Sequence, residues 1–232
     1  MSLVTFKDLI IDAVDARAEA LFWAERLGLR VDRVEDDWYL LRGEQPDQSV
    51  WIVPVPEPKT VKNRVHLDVR DGSLDALADA PHLSEPGEFA WTVLADPEGQ
   101  EFCVFVTEGA SPAFKDLVVD AVDPAAISRW WCDVLGGRVT DDPSGYSHLD
   151  DVPGFPGDSF DFVPVPEPKT VKNRVHWDVK LRSGTTIDDL VQRGASVIRT
   201  PTAGDSWTVM ADPEGNEFCV FDHDRVGTWP ST

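Results

Sequence analysis

Apolar and polar residues alternate through "KDLIIDAV" (residues 7–14), and the period predicts a strand with Leu9, Ile11 and Ala13 on one face and Asp8, Ile10 and Asp12 on the other. The period then changes. In "ARAEALFWAERLG" (16–28), Ala, Leu, Phe and Trp recur at three- and four-residue spacing, which predicts an amphipathic helix stopped by Gly28. "LRVDRVEDDWYLLRG" (29–43) and "SVWIVPV" (49–55) read as two or three short strands, the second placing Trp51 and Val53 on one face. "NRVHLDVRD" (63–71) is a further strand with Val65, Leu67 and Val69 opposed to Arg64, His66, Asp68 and Arg70. "SLDALADA" (73–80) predicts a brief helix, and "FAWTVLADPEGQEFCVFV" (89–106) a hairpin. Its tight turn falls at "DPEG", where Pro97 fixes one φ and Gly99 supplies a positive one.

The whole series then repeats. "FKDLIIDAVD" (6–15) returns as "FKDLVVDAVD" (114–123), "VPVPEPKTVKNRVH" (53–66) returns unchanged at 163–176, and "ADPEGQEFCVF" (95–105) returns as "ADPEGNEFCVF" (211–221). The spacing between copies grows from 108 to 110 to 116 residues, as small loop insertions would produce. The reading is a tandem duplication: one unit over residues 1–108, a polar linker at 109–113, and a second unit over 114–232. Pro124 opens the helix equivalent to 16–28, and "TTIDDLVQRGA" (185–195) is a fuller counterpart of 73–80. The fold class expected is α+β, with each unit made of two strand–helix–three-strand modules that form a curved mixed sheet. Helices cover one face and the other is an open cup.

The order, the length and the paired stretches "VPEPKTVKNRVHLDV" with "WTVLADPEGQEFCVF", and "VPEPKTVKNRVHWDV" with "WTVMADPEGNEFCVF", resemble the vicinal oxygen chelate superfamily, in particular its bacterial glyoxalase-like branch. The resemblance implies tandem glyoxalase-like domains. That scaffold carries isomerases, dioxygenases, antibiotic-modifying enzymes and binding proteins, so the resemblance specifies fold and not function. In its metal-dependent members an ion sits at four cup positions filled by His, Gln or Glu. Carried onto this chain unit by unit, those positions are Asp8, Trp51 or Val53, His66 and Cys103, then Asp116, Asp161 or Val163, His176 and Cys219. Only the histidines match, and cysteine replaces the last-strand glutamate twice. The expectation is therefore no tight metal site and no cofactor.

Strand alternation supplies the remaining site candidates. His66 and His176, with Asp68 and Asp178, are the acid–base candidates, because imidazole exchanges protons near neutral pH. Asp8, Asp12 and Glu101 are grouped with His66 and Asp68 in one acidic wall, and Asp116, Asp120 and Glu217 with His176 and Asp178 in the other, while Cys103, Asp161 and Cys219 are further cup-facing candidates for ligand contact. Trp51, Trp91 and Trp207 add aromatic faces, and Tyr39 and Tyr146 are placed at the rims. That combination suits a flat or cationic ligand through charge and cation–π attraction. The alternate prolines of the repeated phrase predict a stiff crossover between modules. Its lysines, with Arg64 and Arg174, either pair with neighbouring carboxylates or clamp a ligand anion at the cup mouth.

Composition narrows the partners. With 42 acidic and 21 basic side chains, the formal charge of −21 disfavours nucleic acid and anionic membranes. Three cysteines without CxxC spacing are not a disulfide framework, and no apolar leader or spanning run is present, which together point to the cytoplasm. Pairing of the two units within one chain reduces the need for a dimer, though a homodimer is allowed. The reading is a small-molecule binding protein. Its alternatives are a metal-independent lyase or isomerase, using histidine with a carboxylate, and a structural or regulatory module with a vestigial pocket. The sequence names neither the ligand nor the working cup.

Overall fold

A computed structural model of the chain describes residues 2–34, 36–44, 48–202 and 204–222. Glu35, in the strand-rich stretch 29–43, and residues 223–232 at the end of the second repeat lie outside the described residues.

Four modules follow one another. The first comprises β1 (Val4–Ala13), α1 (Ala16–Leu27), β2 (Arg30–Arg33), β3 (Tyr39–Arg42) and β4 (Ser49–Pro54). The second comprises β5 (Val65–Asp71), a 3-10 turn (Asp75–Leu77), β6 (Thr92–Ala95) and β7 (Glu101–Val106). The third is β8 (Ala113–Ala121), α2 (Pro124–Leu135), β9 (Arg138–Asp141), β10 (Ser147–Asp150) and β11 (Ser159–Pro164). The fourth is β12 (Val175–Leu181), α3 (Ile187–Val191), β13 (Ser196–Arg199), β14 (Trp207–Ala211) and β15 (Glu217–Phe221). The second module is the reduced one. The brief helix expected at 73–80 is a single 3-10 turn, and a lone bridge between His82 and Leu94 stands where the fourth module has β13.

Local chemistry sets the helix ends. Asp15 and Asp123 accept hydrogen bonds from the backbone N–H of Ala18 and Ala126, which satisfies donors that the first turn leaves open. Thr186 and Asp189 form a reciprocal capping box at α3. Gly28 ends α1 at φ 65°, and a Cβ there would lie 2.8 Å from the carbonyl oxygen of Pro112, so only glycine fits both the turn and the approach.

The strands form two mixed sheets, ordered β13-β14-β15-β12-β1-β4-β3-β2 and β6-β7-β5-β8-β11-β10-β9. Each sheet therefore joins one module from each repeat, through the antiparallel pairs β1/β12 and β5/β8. Modules one and four share the first sheet; modules two and three share the second. The apolar faces of both sheets and the helices α1 and α2 make one contiguous core, with each of these helices touching both sheets. Trp23, Trp131 and Trp177 lie at its centre, and Trp131 contacts Phe160, Trp177 and Phe218 edge-on or tilted. Leu9, Ile11, Ala13, Val65, Leu67 and Val69 all belong to this core, which fixes the opposite strand faces as the cups.

The two copies of the repeated phrase are the crossovers between sheets, 55–64 leading from β4 to β5 and 165–174 from β11 to β12. They brace one another. Arg64 donates to the carbonyls of Glu167 (2.6 Å) and Asp120 (2.8 Å), and Arg174 to those of Glu57 (2.6 Å) and Asp12 (2.9 Å). Lys59 pairs with Glu101, and Lys169 with Glu217, while the same two glutamates accept from the backbone N–H of Asn63 and Asn173. The two copies thus hold one another through guanidinium-to-carbonyl bonds, a role that the repeated arginine plays in both.

Candidate active site in the second sheet

The swap of modules regroups the candidate residues. The wall expected to combine Asp8 and Asp12 with His66, Asp68 and Glu101 does not exist, because Asp8 and Asp12 belong to the first sheet and the other three, like Cys103, to the second. One cup carries Asp8, Trp51, His176, Asp178, Cys219 and Trp207. The other carries Asp116, Asp161, His66, Asp68, Cys103 and Trp91.

In the second sheet, β5 and β8 place Asp68 opposite Asp116 and His66 opposite Val118, while the parallel pair β5/β7 sets Cys103 beside Asp68. His66 Nε2 lies 3.7 Å from Cys103 Sγ and 3.5 Å from Asp68 Oδ1. Asp116 accepts from the Ser159 hydroxyl and backbone N–H and pairs with Lys115. β10 and β11 set His148 opposite Asp161, and Tyr146 stacks on the His148 ring. Burial pushes the Asp161 carboxyl up to about 6, reinforced by the Asp116 and Asp68 charges and opposed by Ser159 and His148. One oxygen of Asp161 and one of Asp68 are buried without a hydrogen-bond partner. Burial, with the Asp68 charge beside it, raises the Cys103 thiol far above its ordinary range, so it is a protonated group here and not a ready nucleophile. At the rim, Phe89, Trp91 and Phe105 stack in sequence with centroids 5.2 and 5.4 Å apart.

The first sheet repeats this plan with different fillings. His176, Asp178 and Cys219 occupy the places of His66, Asp68 and Cys103, and Trp207 stacks on Phe221 as Trp91 does on Phe105. Trp51 stands where the second sheet has Asp161, Leu40 where it has His148, and Trp38 where it has Tyr146. Ile10, Leu40 and Trp51 form a buried cluster with Val34, Trp38 and Val53 packed against it, so apolar side chains fill this cup. Desolvation there lowers His176 to about 4 and raises Asp178 to about 8, which leaves both neutral near pH 7.

Other candidates sit outside the cup floors. Asp12 and Asp120 pair with Lys172 and Lys62 of the crossovers, Arg64 and Arg174 hold the crossovers together, and Glu101 and Glu217 pin them to β7 and β15. Tyr39, expected at a rim, is in the core because it lies opposite the core residue Ile52. Sequence alternation missed Lys7 and Lys115. A bulge after Phe6, and its equivalent opposite Asp68/Val69, puts each lysine on the same side as the following aspartate. Lys115 lies 4.5 Å from the Phe105 ring centroid, and although burial alone would lower its pKa, the hydrogen bond and charge of Asp116 raise it. His148 was also missed, although period-two counting along "SHLD" would have put it beside Asp161.

The donor set tests the metal that the resemblance implies. His66, Asp68 and Cys103 offer nitrogen, oxygen and sulfur within 4.8 Å of one another. Ligands at about 2.0–2.3 Å around a tetrahedral ion stand roughly 3.3–3.8 Å apart, and the 3.5 and 3.7 Å separations around His66 Nε2 match that edge. The unpartnered Asp68 oxygen is one of these donors. The three residues fit a zinc-type ion, with loss of the Cys103 proton as the condition for binding.

Comparison with known proteins agrees with this architecture. A family model described as a glyoxalase-like domain matches residues 8–105 and again 116–221. No curated protein sequence matches the chain. Among solved structures, glyoxalase I from Zea mays aligns with a TM-score of 0.67 at 13% identity, over 94% of this chain and 92% of that one. The cppA protein from Streptococcus pneumoniae aligns at 0.53 and 14% identity, over 95% and 98%. At such identities the likeness is one of fold. With the family model spanning both repeats almost end to end, the chain belongs to the glyoxalase-like domain family, in a tandem form whose two sheets each draw on both copies.

Proposed function

We propose that this chain is a small-molecule binding protein, that its working cup is the one in the second sheet, and that its ligand is a flat, cationic organic compound. One observation carries the reading: Asp161 and His148 stand where Trp51 and Leu40 fill the other cup. This more polar cup combines the carboxylates Asp68, Asp116 and Asp161 with the aromatic ladder Phe89, Trp91 and Phe105. A delocalised cation is attracted by both. Arg64, Arg174, Glu101 and Glu217 serve the crossovers in this reading, and His176 and Asp178 serve the scaffold.

The test is calorimetric titration with N-methylquinolinium, naphthalene-2-carboxylate and neutral quinoline-like probes. The cation is expected to bind, and its affinity to fall by about tenfold between about pH 8 and pH 5 as Asp161, raised to about 6 in the company of Asp116, Asp68, His148 and Lys115, takes up a proton. Binding of the anion alone would refute the proposal.

A second reading, an enzyme, is favoured by the spacing of His66, Asp68 and Cys103. A zinc-type ion held there by His66, Asp68 and Cys103 would supply Lewis-acid polarisation of a ligand oxygen, while Asp161 remains the group able to hold a proton. Elemental analysis of protein purified without chelator separates the readings. About one metal per chain, lost in Cys103→Ser, supports the enzyme; metal-free protein that binds the cation supports the binding protein.

A further inference from the structure

A cavity of about 610 Å³ lies between the two crossovers, and its lining includes none of the His, Asp and Cys residues of the cup floors. Its lining is nearly two-fold symmetric: Pro58 and Pro168, Thr60 and Thr170, Val61 and Val171, Lys62 and Lys172, with Asp12 and Asp120 behind. This volume is within the range of small-molecule sites, roughly 300–1,000 Å³. The middle is apolar, and Val61 and Val171 are among the exposed large hydrophobic residues. The basic groups differ in how far they are committed. Arg64 and Arg174 are spent on carbonyls of the opposite crossover, and Lys59 on Glu101. Lys62 and Lys172 are 62% and 52% exposed, and each has one carboxylate partner, Asp120 or Asp12, which is itself buried. An ammonium has three donors, so each lysine keeps donors for a ligand, and an entering group meets the ammonium before the aspartate. The charged side chains lining the cavity are five basic and four acidic, so the lining is close to neutral in a chain of −21.

We propose that this cavity is a second ligand site, for a small dicarboxylate with an apolar middle, each carboxylate held by one of the twin lysines. Dyad-related cations flanking an apolar centre recognise a molecule with an acid at each end. The two-fold lining favours a symmetric one.

The experiment is a titration of the full chain with suberate, octanoate and cadaverine, followed by backbone amide shifts in two-dimensional NMR. Suberate is expected to shift the amides of Thr60, Val61, Thr170 and Val171 saturably. Octanoate, with one acid on the same apolar length, binds about tenfold more weakly, and cadaverine leaves these amides unmoved. Lys62→Gln with Lys172→Gln lowers suberate affinity by about tenfold or more, whereas Lys62→Arg with Lys172→Arg retains it. The idea fails if suberate produces no saturable shift at these positions, moves cup residues around Asp161 instead, or is matched by octanoate or cadaverine. Because these comparisons use the unaltered protein, they hold whether or not the variants fold. They are also independent of any result for the second-sheet cup.

Discussion

Trp51→Ala is expected to destabilise the fold by about 3–5 kcal/mol, lowering the thermal midpoint by roughly 8–15 °C for a chain of this size. Trp51 is buried in the first-sheet cup against Ile10 and Leu40, with Trp38 meeting it edge-on at 6.3 Å. Removing the indole leaves a void in the sheet face that also carries His176 and Asp178, which desolvation holds neutral. Water entering that void would restore their charging, and the structure would have to accommodate it. The cost is read by thermal or urea unfolding. A loss below about 1 kcal/mol would mean that the cup is not filled by packing, and the argument for two unlike cups would fall with it.

That contrast was only partly legible in the sequence. Alternation in "KDLIIDAV" and "RVHLDVR" separated core from cup residues, because one buried face fixes the register of a strand. The duplication was legible as repeated words. The pairing of the sheets was not. A stiff crossover such as 55–64 satisfies the sequence equally well whether β5 returns beside β4 or crosses to the other sheet, and the repeats, being alike, present alike edges. So His66 was grouped with Asp8 when its neighbours are Asp116 and Val118. The bulges at Lys7 and Lys115 were invisible for a different reason. Period-two counting assumes an unbroken ladder, and nothing in "FKD" announces an extra residue. Trp51 and Asp161 occupy the same column of the repeat, but a shared column does not say which residues of the other copy each one meets. Only the topology shows that Asp161 faces His66 and Asp68 of the other repeat.

Asp161→Asn is expected to separate stability from function. The folded-state pKa of Asp161 is raised to about 6 from an ordinary 3.8. A carboxyl raised on folding destabilises the protein above that value, because the folded state must hold a charge it resists. As pH falls from about 6 toward 3.8 the folded form takes up the proton first, and the penalty disappears. About two pKa units correspond to about 3 kcal/mol, so the asparagine variant is expected to be more stable than the parent by up to that amount near pH 8. It should show no advantage below about pH 4. The same change removes one of the three carboxylates facing a cationic ligand, and affinity for N-methylquinolinium is expected to fall by about 10–100-fold, equivalent to about 1–3 kcal/mol. Urea unfolding at several pH values and calorimetric titration measure the two effects on the same protein. A variant that is less stable near pH 8, or binds the cation as tightly as the parent, would show that Asp161 is a satisfied structural carboxylate. Greater stability with weaker binding would show that the chain maintains an uncomfortable charge at this place because a ligand uses it, as the first-sheet cup, closed by Trp51, does not.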